Sequence, residues 1–278
     1  MDITGRMIAY YRACETQYPE SERLFSDPYA EAFVSQEVVD FAREMTEAMP
    51  SLQSFIRLRT RCIDDCITEL ATAESQIVIV GAGADARACR MRLPTKYFYE
   101  LDLLGSAREK IDALKNRFQL DVCHVNYVES NLNEDSLYGV MTRADFCPDR
   151  HTVFVFEGVI MYLSDEANER ILNDMNMLMK TAYHIIYYYA PKSVVTRTTG
   201  EDEITNHADA LERHGYRFYS GVDDIESYAV RFGVSVIKDM SITEVQEKYA
   251  PHMPFPKGCG EYFHVAVLTR DASISPRA

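Results

Sequence analysis

A glycine turn, an inward-facing arginine and acids at strand ends are the residues whose types and spacing could do chemistry. Gln76-Ile-Val-Ile-Val-Gly-Ala-Gly-Ala-Asp-Ala-Arg87 runs from a β-rich apolar segment, Ile77 to Val80, into Gly81-Ala82-Gly83, and the pattern from Ala84 to Arg92 is helical. A strand that breaks at glycines and enters a helix is a nucleotide-cofactor signature. The glycines let the backbone turn where a Cβ would collide, and the helix start offers free N–H groups. The spacing Gly81, Gly83, Ala86 suits a dinucleotide as well as the looser turn that holds S-adenosylmethionine, and the same turn also occurs in sheets that bind nothing there.

Two further features narrow the choice. Between Ser51 and Ala73, the residues Leu52, Phe55, Ile56, Ile63, Cys66, Ile67 and Leu70 fall on one helical stripe, and Arg59 projects into its middle. A cation on an apolar face needs an anion, because an unpaired buried charge is costly. The partner is either a core carboxylate or the carboxylate of a ligand. Lys96-Tyr-Phe-Tyr-Glu-Leu-Asp102 ends a second strand in acids, with Asp102 about 20 residues past the turn, where an acid can accept from ribose hydroxyls. His151-Thr-Val-Phe-Val-Phe-Glu157-Gly158 is a buried strand that also ends in an acid. One buried Arg among carboxylates suits a ligand carrying a carboxylate, an ammonium and a sulfonium, whereas a pyrophosphate would want no acid beside it.

The elements that must position these groups alternate. Helical spacing covers residues 3 to 18; Asp27-Pro28 has the form of a helix start; Val38 to Met49 forms a third helix. After the glycine turn come a helix over Ser106 to Gln119, strands at Asp121 to Asn126, Tyr183 to Tyr189, Val234 to Ile237 and Tyr262 to Leu268, and a helix over Asp165 to Lys180 capped by Ser164. Residues 130 to 142 are ambiguous, and 192 to 208 read as a loop or lid. The alternation favours one α/β domain over residues 1–278 with a mostly parallel sheet, a helical extension (1–75) preceding a core at 76–270.

Composition excludes several classes. Apolar residues make up 47% of the 278, with 18 Tyr and 13 Phe, so a core is affordable and disorder is not indicated. A formal charge of −14 without any long basic run argues against nucleic acid and anionic membrane as partners. Seven Cys without a Cys-x-x-Cys pair fit reduced thiols, and Cys62 and Cys66 read as core residues and not a metal site. No run approaches a membrane span or a secretory leader, so a cytoplasmic protein is expected.

Six motifs in order then carry a resemblance. Tyr10-Tyr-Arg-Ala-Cys-Glu15, Leu24-Phe-Ser-Asp-Pro-Tyr-Ala30, Arg59-Thr-Arg-Cys-Ile-Asp-Asp65, Gly81-Ala-Gly-Ala-Asp-Ala-Arg87, Tyr99-Glu-Leu-Asp102 and Phe156-Glu-Gly-Val-Ile-Met-Tyr-Leu163 resemble those of the leucine carboxyl methyltransferase family, over roughly residues 7 to 270. The resemblance implies a Rossmann-like class I methyltransferase fold, seven-stranded with an antiparallel last strand, and S-adenosyl-L-methionine as cofactor. It implies that Arg59 grips the methionine carboxylate, that Gly81, Ala82 and Gly83 pass beneath the methionine and ribose, and that Asp102 holds the ribose. Asn126 and Tyr127 would meet adenine and Glu157 the methionine part, while Tyr11 would belong to the acceptor pocket. Asn126 and Ala86 depart from the family's usual Asp and Thr.

The family includes bacterial small-molecule O-methyltransferases of the polyketide type, so the function expected is O-methylation of a carboxylate or hydroxyl in secondary metabolism, without a metal. Methylation of a protein carboxyl terminus and a non-catalytic nucleotide-binding regulator remain alternatives. No general base stands out: His124, His151, His184 and His264 read as packed or surface residues, Asp85 and Arg87 as a local pair. Arg12 falls opposite its helix's apolar stripe, where a solvated position is equally expected.

Overall fold

The apolar runs pair into one seven-stranded sheet in the computed structural model, which describes residues 1–120 and 124–271. Its strands are β1 (Gln76–Val80), β2 (Tyr97–Asp102), β3 (Val125–Glu129), β4 (Thr152–Phe156), β5 (Tyr183–Tyr189), β6 (Ser235–Ser241) and β7 (His264–Arg270), in the order β3-β2-β1-β4-β5-β7-β6. β1 to β5 pair in parallel, and β7 lies antiparallel to both β5 and β6. Every residue of β1 and β4 is buried, as strands covered on both faces require. The third strand starts later than expected and runs past Asn126 to Glu129; Asp121 to Cys123 lie outside the described residues.

Alternating side chains divide the core. Ile77, Ile79, Val153, Val155 and Ile186 face a cluster built with the stripe of one long helix, whereas Val78, Val80, Phe154, Phe156 and Ile185 face a second cluster on the other side. That long helix is the third of three that precede β1: α1 (Ile3–Thr16), α2 (Gln36–Ala48) and α3 (Leu52–Leu70). Cys62 and Cys66 of α3 sit in the core.

Two expected helices are smaller than their patterns. Asp27-Pro28 opens only a 3-10 turn at Ala30–Phe33, because the Asp27 carboxylate accepts from Arg12 instead of capping. The helix after the glycine turn shrinks to α4 (Arg87–Arg90), since the turn continues through Ala86 and Asp85 accepts the Arg87 N–H at 2.7 Å. α5 (Ser106–Phe118) follows β2, the ambiguous stretch yields α6 (Leu137–Arg143), and α7 (Asp165–Leu178) carries the expected Ser164 cap. The polar 192–208 stretch holds α8 (Lys192–Val195) and the start of α9 (Asp202–Arg213), which packs on α2; α10 (Ile225–Arg231), α11 (Ile242–Tyr249) and α12 (Lys257–Gly260) complete the chain. No helix among the described residues is long and apolar enough to cross a membrane.

α5 is pinned to β2 by a buried ion pair, Lys110 Nζ to Glu100 Oε2 at 2.5 Å. Burial pushes the Glu100 carboxyl up, and Lys110 only partly offsets it. Lys110→Met strands that carboxylate in an apolar wall and is expected to cost about 3–5 kcal/mol in urea unfolding at neutral pH. Because Glu100 titrates above the ordinary range when folded, the deficit should shrink as pH falls into the acid range and the group protonates. An unchanged urea midpoint at pH 7 would mean that the pair is not needed.

Candidate active site

Strand order reverses beside β1, which has β2 on one side and β4 on the other, so a crevice opens at their carboxyl ends. The chain leaves β1 with left-handed backbone at Gly81 (φ +66°) and Gly83 (φ +44°). A Cβ on Gly81 would lie 2.7 Å from Val159 Cγ2, so that glycine is demanded by packing as well as by conformation. At Gly83 a Cβ would stand 3.9 Å from both the Asp102 carboxylate and the Gly5 Cα of α1, in a slot that the absent side chain leaves open. Asp102 is aimed across this slot by the N–H groups of Gly83 and, at 2.7 Å, Leu103, both of which donate to its carboxylate.

Beneath the turn lies a chain of buried charges. Arg59, 6% exposed, donates from Nε to Glu157 Oε1 at 2.8 Å, with its guanidinium 4.7 Å over the Tyr188 ring. The other Glu157 oxygen meets Arg87 Nη1 at 2.5 Å. Arg87 also reaches Asp64 at 2.7 Å and Asp85; Arg90 grips Asp64 with two N–H groups at 2.7 and 2.8 Å and approaches Asp27 at 3.5 Å. Arg12, expected to be as often solvated as not, is buried: it donates to Asp27 at 2.9 Å and to the Ala84 carbonyl at 2.6 Å. Arg12, Arg59, Arg87 and Arg90 thus balance Asp27, Asp64, Asp85 and Glu157.

The pairing overrides the cost of burial. Burial alone would raise Glu157, but Arg87 and Arg59 hold it below the usual carboxylate range, and Asp85 is held well below it in the same way by Arg87 and Arg12. Burial works against the Arg59 charge, and Glu157 with Tyr188 more than restores it.

A cavity of about 770 Å³ occupies the crevice, within the roughly 300–1,000 Å³ usual for ligand sites. Arg59, Gly81, Ala82, Gly83, Asp102 and Glu157 all line it. Asn126 and Tyr127 do not. Asn126 is the second residue of β3, far from its carboxyl tip, and its amide donates to the Phe98 carbonyl at 3.1 Å; Tyr127 follows it and packs partly buried. The turn just past β3, Ser130 to Asn133, lines the cavity in their stead. Tyr11 is also placed elsewhere. Its hydroxyl clamps α1 to α2 through the Ala42 carbonyl at 2.9 Å and Thr46 Oγ1 at 2.7 Å, and burial pushes the phenol up to about 12.

None of the four histidines weighed from sequence lines the cavity. His151 Nε2 pairs with His184 Nδ1 at 2.8 Å at the amino ends of β4 and β5, His124 meets the Ala88 carbonyl, and His264 lies 3.3 Å from Asp239. A different one, His207 of α9, does line it, together with Phe55, Tyr162, Tyr188, Phe218 and Phe263. Only the docking of α9 beside α2 brings His207 there, and a lone His in a polar stretch gave no sign of it.

The family model described as leucine carboxyl methyltransferase matches residues 6–176. A Mycolicibacterium gilvum protein named "Putative S-adenosyl-L-methionine-dependent methyltransferase" is 29% identical over 204 residues, 68% of this chain and 66% of that protein. A similarly named Parafrankia protein is 31% identical over 186 residues, covering 63% and 58%. The chain therefore spans just under two thirds of the length of the first of these relatives and less of the second. Among solved structures, one described as a putative methyltransferase of Thermobifida fusca superposes with a TM-score of 0.62 at 12% identity, covering 95% of this chain and 94% of that one. A duf574 family protein of Streptomyces avermitilis gives 0.59 at 10%, covering 94% and 96%. The fold is that of these Rossmann-like proteins.

Arg87 holds the site together from below, touching Asp64, Asp85 and Glu157. Arg87→Met is expected to lower stability by about 3–5 kcal/mol, because acids that shared its charge stay buried. Thermal or urea unfolding measures this, and a loss within about 0.5 kcal/mol, the range of a surface change, would contradict it.

Proposed function

The chain belongs to the leucine carboxyl methyltransferase family, and from that membership we propose that it moves a methyl group from S-adenosyl-L-methionine to an oxygen of a small molecule. The observation that carries the reading is the convergence of Arg59, from the middle of α3, with Glu157 and Asp102, from the tips of β4 and β2, on one glycine-floored cavity. The donor's chemistry fits these residues. Arg59 offers a cation to a carboxylate, Glu157 an acid to an ammonium, Asp102 an acceptor to vicinal hydroxyls, and Gly83 a slot without a Cβ. Asn131 and Leu132, at the tip of β3, take the adenine side.

When bound, the donor supplies a methyl group already activated by its sulfonium. The protein's share is alignment and dryness. Arg59 is held rigid by Glu157 below and Tyr188 beside it, so it presents a fixed guanidinium edge. α1 crosses the glycine turn at Gly5, and α3 and α9 add walls to the cavity. The aromatic lining of that cavity, Phe55, Tyr162, Tyr188, Phe218 and Phe263, suits a small apolar acceptor.

Calorimetry on single variants tests the assignment. Arg59→Ala is expected to weaken donor binding by about 2–4 kcal/mol. Asn131→Ala should cost about 1 kcal/mol and Asn126→Ala nothing measurable. A folded Arg59→Ala protein with wild-type affinity would remove Arg59 from the donor site, and a reversed order of the two Asn variants would return adenine to β3.

A further inference from the structure

Resting on the reading above, we propose that the acceptor is an aryl alcohol seated in the aromatic half of the cavity, and that His207 takes the proton from its hydroxyl. The walls of that half are rings in mutual contact. Tyr162 meets Phe218 at 5.4 Å, Phe55 meets Phe263 at 5.3 Å, and Phe263 stacks on Tyr188 at 6.1 Å and 10°. A flat apolar ring gains most from such surroundings.

Charge decides between a hydroxyl and a carboxylate. The cations that line the cavity are already committed: Arg12 to Asp27, Arg59 to Glu157 and, on the reading above, to the donor's carboxylate, and the Met1 amino group to Glu109, while Arg217 is largely exposed and 3.9 Å from Glu212. A carboxylate acceptor would enter the aromatic half without a counter-charge. His207 does not provide one. Burial, with no charged neighbour contributing, lowers its imidazole to about 4, so it stays neutral at ordinary pH. Its Nδ1 is buried and has no hydrogen-bond partner, so the ring is not fixed by the protein through that atom. A neutral imidazole in an apolar wall is a hydrogen-bond acceptor for an incoming hydroxyl.

In the reaction the acceptor's O–H bond breaks and its proton passes to an imidazole nitrogen. The oxygen bonds to the methyl carbon as the carbon–sulfur bond opens, and that electron pair stays on sulfur as a thioether. The imidazolium then releases its proton to water.

The test compares wild type and His207→Gln with 4-methylphenol, with 4-nitrophenol, which is largely ionised in mildly alkaline buffer, and with benzoate, following transfer from labelled S-adenosyl-L-methionine. Aryl ethers resist base, whereas methyl esters release methanol. The inference expects transfer to 4-methylphenol, weaker transfer to 4-nitrophenolate, whose charge is spread over the ring and nitro group and so costs less to bury than a carboxylate's, and none to benzoate. It expects His207→Gln to lower kcat about 100-fold with 4-methylphenol, and several-fold at most with 4-nitrophenol, which has little proton left to give. A purely structural role would depress both equally, and that result overturns the inference. So does transfer to benzoate alone, or no transfer to either phenol. Two readouts need no turnover: donor affinity of His207→Gln should equal wild type by calorimetry, and the His207 imidazole ¹⁵N signal should shift on adding 4-methylphenol. An unmoved signal would also count against His207. A wild-type protein that binds no donor would defeat the preceding reading itself, whereas donor binding without phenol transfer defeats only this one.

Discussion

The salt bridge from Arg59 to Glu157 joins the long helix of the amino-terminal segment to the tip of a central strand at the edge of the cavity. Removing two ions from water costs several kcal/mol each, more than one contact returns. The structure meets that cost by alternation. Glu157 is shared with Arg87, Arg87 with Asp64 and Asp85, and Asp64 with Arg90, while Arg90 and Arg12 both face Asp27. Each charge gains a partner on more than one side or is held also by backbone, as Arg12 is by the Ala84 carbonyl. The network ties α1, the 24–30 segment, α3, the glycine turn and β4 into one frame. The helices that precede the sheet are thus part of the pocket's foundation.

That foundation was partly legible in the sequence. β1, β4 and β5 are short apolar runs bounded by polar residues, and strands buried on both faces leave that mark. The stripe of α3 and the Ser164 cap were equally plain. Arg59 stood out because an arginine on an apolar face violates local expectation, and such violations concentrate at sites. Of its two candidate partners the core carboxylate is the one seen, Glu157, and the guanidinium also borders the cavity.

What was hidden is what depends on tertiary pairing. The period of β3 was readable but its end was not: Asn126, placed on the adenine side by the family resemblance, lies well down the strand and off the cavity, and the turn past Glu129 borders it. Asp27 looked like a cap because nothing local announces that Arg12 will take its carboxylate. Tyr11 lies in a motif near the pocket, yet its hydroxyl is spent on joining α1 to α2. His207 carries no local signal at all. Its helix is amphipathic toward α2, and only that docking turns the ring to the cavity.

The neutrality of the network also bears on rate. An unpaired carboxylate against a cationic donor would stabilise the charged ground state, and that stabilisation fades as the charge disperses in the transition state. Such an acid would tighten binding while slowing transfer. Glu157 avoids this, because Arg59 and Arg87 neutralise most of its field before any ligand arrives. Asp102 has no such cations on it and is instead oriented by backbone N–H groups, at the β2 tip beyond the glycine turn. Asp102 thus keeps its charge at the β2 tip, whereas the acid that shares Arg59 is muted. The aromatic half has the cations at its border already paired, and one acid, Asp2 at the start of α1, lies beside Tyr162 and Tyr216 there. On the proposed reading, holding a cationic donor and discharging it quickly would be reconciled by where the arginines lie, not by how many acids line the wall.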